Sequence, residues 1–441
     1  MGKKYLVMII SISLMFLFLL SVLYADESKE KPSFGFNMDF NIGLSSYEDS
    51  NGQQVAFQKF SFFPEFSYGK WGLGLDLTFE FDGDFKLRDL DNDGHADGWY
   101  TFSDYLYKIY YVRYGFKGDP LYARIGAFES YTLGHGLIMD GFSNVLFYPQ
   151  IHHLGLNLDV DGSVFNFPII GMESVVRDVL DWDIMGLRVY AKPLTSLSMP
   201  IIKDLKVGAT IVTDLDPQEI NDPRDPNYKN YHSPKDNPNS KSVTEFGLDT
   251  ELPLLQREKM SLITYADWAK ISGKGSGSLV GATFQYSWFK LIGQMRFFGK
   301  HFVMSYFDSY YEVDRATKYN SLDSYDQFYV GYLIGTDMSL FNLLTFSAYW
   351  SDGFTDNEGP RIQIGIATVE NAIPKFDISF NYDKKDISSF KDTFSSANSL
   401  LQLEVAYKVS QIASLVFIFQ RTYTPSGQES NQTIIETRFS F

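Results

Sequence analysis

Cysteine is absent from all 441 residues. A disulfide framework and a thiolate metal site are therefore excluded, and so is a lipid anchor on a cysteine behind a leader. Beyond Ala25 no run approaches the roughly 20 apolar residues that a membrane helix requires. The rest of the chain is either soluble or crosses a bilayer with strands. Positive charge is sparse: 38 Lys and Arg stand against 54 Asp and Glu, a formal net charge of -16. With no basic stripe to neutralise phosphates, a nucleic acid is not a partner. Catalytic signatures are missing too. The six histidines His95, His135, His152, His153, His232 and His301 form no H-E-x-x-H, and no G-x-S-x-G occurs, so the chain is not read as an enzyme. The pair His152-His153 is predicted to put its rings on opposite faces of a strand, out of reach of a common metal.

What is present begins with Lys3-Lys4, an uncharged apolar run from Tyr5 to Tyr24, then Ala25 and Asp26-Glu27. Basic, apolar and small residues in that order predict a signal peptide over 1–25, cleaved after Ala25, with export through the general secretory route; an uncleaved anchor is the alternative. Removing Lys3 and Lys4 takes the net charge from -16 to -18. A short segment, 26–33, leads into a single domain, 34–441.

That domain repeats one unit of strict alternation followed by a connection. In Trp71-Gly72-Leu73-Gly74-Leu75-Asp76-Leu77-Thr78-Phe79-Glu80-Phe81 every odd position is apolar and every even one is Gly or polar. No helix holds that pattern on one face. Twenty such segments, within a range of 18–22, start near residues 34, 54, 71, 104, 120, 152, 163, 184, 203, 242, 259, 276, 290, 325, 342, 360, 374, 398, 412 and 430. Connections alternate between tight turns, such as Gly69-Lys70, Lys117-Gly118-Asp119, Lys290 and Ser410-Gln411, and long loops near 83–103, 131–151, 214–241, 300–324 and 383–397. The predicted fold is all-β: a transmembrane antiparallel up-and-down barrel with short periplasmic turns and long extracellular loops. Its abundant aromatics, 39 Phe and 29 Tyr, suit girdles at both interfaces. A soluble β-sandwich also alternates, but with shorter strands.

The chain ends Thr433-Ile434-Ile435-Glu436-Thr437-Arg438-Phe439-Ser440-Phe441. This resembles the closing strand of bacterial outer-membrane β-barrel proteins, porin-like ones among them. The resemblance implies an outer-membrane location in contact with lipid, and it implies that Phe439 and Phe441 are read by the barrel assembly machinery.

Alternation puts Asp76, Glu80, Arg124, Arg188, Asp249, Asp267, Arg296, Glu404 and Arg438 on the lumen side. Charge at that density is costly in a dry core, so the interior is expected to be wet or paired. The expected function is a channel for passive diffusion of small hydrophilic solutes or ions, weakly cation-preferring because the lumen leans acidic. The alternative is a non-conducting barrel acting through its outer loops. In general porins, which the chain resembles in architecture, the loop after the fifth strand narrows the pore. That implies constriction by Tyr131 to Gln150, with His135 and Asp140 as candidates. The loop's apolar Leu137, Ile138, Met139, Val145, Leu146 and Phe147 favour burial. Solute identity and oligomeric state are not legible.

One local motif remains. Asp89-Leu90-Asp91-Asn92-Asp93-Gly94-His95-Ala96-Asp97 resembles the calcium loops of EF-hand and thrombospondin-type repeats. Carboxylates of Asp89, Asp91, Asp93 and Asp97 and the carbonyl of His95 would converge on calcium around the turn at Gly94. Tyr100 stands where an EF-hand has its bidentate Glu, so a weak, loop-ordering site is expected, with Asp104 available as a further ligand.

Overall fold

A computed structural model describes residues 33–48, 53–89, 94–148, 151–219, 241–355, 359–369, 372–410, 412–423 and 429–440. The alternating segments pair with their chain neighbours all the way round. The strands are β1 (Phe34–Glu48), β2 (Gln54–Tyr68), β3 in two pieces (Trp71–Leu75 and Leu77–Phe81), β4 (Ile109–Tyr114), β5 (Leu121–Gly126), β6 (Gly155–Asp161) and β7 (Ile170–Val176). They continue as β8 (Ile184–Ala191), β9 (Lys206–Asp214), β10 (Val243–Arg257), β11 (Met260–Ile271), β12 (Ser276–Tyr286), β13 (Phe289–Phe298) and β14 (Tyr329–Leu340). The last six are β15 (Leu344–Gly353), β16 (Arg361–Thr368), β17 (Phe376–Lys384), β18 (Ser399–Lys408), β19 (Ala413–Tyr423) and β20 (Glu429–Ser440).

Every consecutive pair is antiparallel, and β20 returns to β1 with Asp39 opposite Ser440 and Ser46 opposite Thr433. The chain is thus a closed barrel of twenty strands with no free sheet edge. The predicted segments map one to one onto these strands. Boundaries moved most at two places: Gly162–Phe165 is a helical turn, so β7 begins at Ile170 instead of 163, and Phe102–Leu106 is a short helix, so β4 begins only at Ile109. Thr101 caps that helix and Asp104 reaches back to its first amides, a local hydrogen-bond pattern that competes with the ladder. His152 and His153 likewise precede β6 rather than sitting within it. The tight turn predicted at Lys290 falls at Ser287-Trp288.

Side chains alternate between a wet or packed interior and an apolar exterior. In β11 Ala266, Trp268 and Lys270 are exposed outside while Tyr265, Asp267, Ala269 and Ile271 are buried inside. Leu248, Ile334 and Ile435 add to the exposed apolar band, the face that lipid requires. No helix among the described residues is long and apolar enough to cross a membrane.

Two connections fold into the barrel. Residues 127–148 and 299–328 meet in a short parallel bridge, Met139-Asp140 beside Phe307-Asp308. Around it Leu133, Met139, Phe142, Phe302, Phe307 and Tyr311 pack against wall residues such as Val175, Val212, Ala269 and Phe298. Each fully buried side chain of this size contributes roughly 1.5–3 kcal/mol. The second segment was expected to be an outer loop. It goes inward, where its aromatics pack against apolar wall residues, and it carries a helix, α1 (Tyr311–Ser321).

Candidate functional site

What the inward segments leave open is a cavity of about 1110 Å³, lined by strands from both sides of the barrel and by Ser130, Thr132, His135 and Asp140. The barrel's inner wall, of which the cavity takes part, carries cross-strand charge pairs, the direct result of period-2 alternation in register. Arg438 donates to Glu404 at 2.9 Å and to Glu436 at 3.3 Å, and Lys59 to Glu436 at 2.8 Å. Arg188 grips Asp249 with two bonds of 2.9 and 2.6 Å and reaches Glu173 at 3.2 Å. Arg296 lines the cavity and donates to Gln294 at 2.9 Å, while Arg124 lies 4.9 Å from the Tyr111 ring. Asp76 accepts from Thr78 and from the Tyr148 hydroxyl, and Glu80 from Ser45, Tyr47 and Arg88.

Inward-facing tyrosines lie on glycines of the next strand. A Cβ on Gly335 would meet the Tyr349 ring at 2.1 Å, and one on Gly281 the Tyr265 ring at 2.5 Å. With no side chain beneath, each ring lies against the wall instead of standing into the lumen.

His135 stacks on Tyr265 at 4.2 Å, with Nδ1 2.8 Å from Asp267 and Nε2 3.2 Å from Glu251. Burial pulls its pKa down, but the two carboxylates outweigh this and raise it to about 9. Asp140 accepts from Thr132 at 3.0 Å. Enclosure raises its pKa, opposed by the positive charge of Arg296 and Arg361. Both residues face the cavity.

Sequence reading missed the charged locks that hold the inward segments. Arg315 on α1 bonds Asp214 at 2.6 and 2.5 Å and lies 2.7 Å from Asp183. Asp181, Asp183 and Glu219 bring carboxylate oxygens within 4.8 Å of one another. Arg177 Nη2 sits among them at 3.3, 2.7 and 3.3 Å, standing where an ion would. Burial, then the neighbouring Asp183, raises Asp181 to about 7. A second lock gathers Lys318, Lys385 and Arg361 on Asp308 at 2.5, 2.8 and 3.1 Å. Buried His153 lies between Asp178, at 3.1 Å, and Glu312, at 3.6 Å. The only sequence signal was the acidic density of Asp178, Asp181 and Asp183 beside Arg177.

In the candidate calcium loop, Asp89 accepts from the Gly94 amide at 3.0 Å, closing the turn. Asp97 is 3.3 Å from Arg88, and His95 stacks on Tyr100 at 3.7 Å. Asp91 and Asp93 lie outside the described residues, and Asp104 is engaged in its helix cap. Phe439 stands opposite Phe40 on the outer face, with ring centroids 6.2 Å apart; Phe441 and the leader 1–25 are also outside the described residues.

No family model and no curated relative matches the sequence. Among solved structures the chain is similar to OpdL of Pseudomonas aeruginosa (9% identity, 93% of this chain and 99% of that one, TM-score 0.34). It is also similar to OccAB2 of Acinetobacter baumannii (8%, 93% and 98%, 0.35) and to the outer membrane protein OprD of Pseudomonas aeruginosa (9%, 93% and 94%, 0.33). The assignment rests instead on the chain's own hydrogen-bond register: it is a closed, twenty-stranded antiparallel β-barrel.

Proposed function

We propose that this barrel is an outer-membrane channel through which small hydrophilic solutes or ions diffuse passively. The observation that carries the reading is the polar cavity of about 1110 Å³ that persists beside the packed inward segments. A protein built only to present outer loops needs no such space. A weak preference for cations belongs to the same proposal. Asp39, Glu65, Glu129 and Asp140 line the cavity outside the wall's ion pairs, with Arg296 and Arg421 on the lining to set against them, and an excess of carboxylates favours cations at a narrow point. Asp140 and His135 are the proposed constriction residues.

Export with cleavage after Ala25, insertion guided by Phe439 and Phe441, and weak calcium binding at Asp89, Asp91, Asp93, His95 and Asp97 complete the proposal. The Asp89 to Gly94 closure supports the last, because a hard cation needs that sharp turn to gather its oxygens.

The test is conductance of the detergent-refolded protein in a planar bilayer under a salt gradient. Stepwise current with a cation-leaning reversal potential is expected. A folded, heat-modifiable protein that never conducts would sink the channel reading in favour of loop-mediated binding, and a chloride-leaning potential would remove the cation preference alone.

A further inference from the structure

The strand register assembles a feature that no single strand contains. Asn381 stands opposite Gln402, Gln402 opposite Gln420, and Gln420 opposite Gln432. Four amides therefore lie side by side on the inner wall across β17, β18, β19 and β20, a row about 14 Å long at the usual strand spacing. All four line the cavity. Two residues further along the wall on either side, the carboxylates are taken: Asp383 by Arg361 and Glu404 by Arg438. Gln420 donates to the carbonyl of Leu146 at 3.0 Å, so the row runs up to the inward segment. Asn381 and Gln402 are exposed on the cavity side, and their side-chain amides have no hydrogen-bond partner among the described residues.

Two strands beyond Asn381 on the same wall, at the level of Asp383, stands an aromatic side chain that lines the same cavity. Tyr349 rests on Gly335, its hydroxyl held by Asp337, and Gln363 is its register partner. That ring is fixed with a face available to the cavity it lines.

We infer that this patch is a binding site for neutral polyhydroxylated solutes of the sugar class. An amide offers a donor and an acceptor on one uncharged group, matching hydroxyls that do both. A flat aromatic accepts the apolar face of a sugar ring. An ion gains little here, because the flanking charges are already paired. A handful of exposed hydrogen bonds gives affinity on the order of millimolar, weak enough for release during transit. The inference rests on the channel reading for its physiological sense, but the binding itself does not.

The test uses the refolded full chain, with maltotriose as probe and a polyethylene glycol of matched size as control. In the planar bilayer, maltotriose is expected to reduce the current saturably, and Gln402→Leu, Asn381→Leu and Tyr349→Leu each to raise the half-blocking concentration about threefold or more. Calorimetric titration of the same samples reads binding without conduction. A current drop linear in concentration and equal to that from the glycol overturns the site and leaves the channel standing. Saturable heat without conductance supports the site while the channel reading falls, and absence of both overturns both.

Discussion

His135 Nδ1 lies 2.8 Å from Asp267 Oδ1, and this contact, with Glu251 on the other ring nitrogen, ties the inward segment to β10 and β11. The histidine pKa of about 9 stands above the roughly 6.5 of an unfolded chain. A raised histidine stabilises fully below about pH 6.5, and that contribution fades between there and pH 9 as the proton leaves. Protease accessibility of residues 127–148 is expected to rise over this window. In His135→Gln the rise should be absent; an unchanged profile would show that other groups set it.

Arg315 is buried against Asp183 and Asp214. Replacing it with Met leaves those carboxylates facing each other, a loss of about 3–5 kcal/mol from the packing of α1. The twenty strands pair with one another without any hydrogen-bonded contribution from that helix to the ladder. The expected result is a heat-modifiable barrel with larger or noisier conductance and new cleavage within 299–328, instead of global unfolding.

Glu312 points the other way. Both its carboxylate oxygens are buried without a hydrogen bond, and burial raises its pKa against the pull of His153 and Arg177. Glu312→Gln removes a charge that is poorly compensated, so thermal stability should be unchanged or higher near neutral pH. A clear loss would mean that the charge is needed by His153 or Arg177.

Gly335 has the Tyr349 ring where its Cβ would be. Gly335→Ala is expected to lift the ring into the lumen, lowering conductance and costing about 1–3 kcal/mol in thermal unfolding. Equal conductance in both proteins would show that the ring lies outside the narrowest passage.

Calcium is expected to protect the loop between β3 and β4 from proteolysis at millimolar concentration and to raise its local stability through mass action. Asp89→Asn should abolish the protection. Identical digestion with and without calcium would leave an acidic loop closed by its own hydrogen bonds.

The sequence by itself determined the number of strands, their rough limits and which side chains face inward, because a period of two and tight turns are local properties that no partner needs to complete. It also placed Asp76, Arg188 and Glu404 in the lumen. Only the tertiary structure decided what those residues meet. The Asn381 to Gln432 row exists through register between strands, and the Arg315 and Arg177 locks join segments far apart in the chain. The inward course of 299–328 was hidden for the same reason. Its aromatics, Phe302, Tyr306, Phe307 and Tyr311, read equally well as an interfacial girdle, and burial is a property of the surface they find across the barrel. Where alternation failed, as at Tyr105 and His153, helix capping and buried ion pairs had won over the strand ladder.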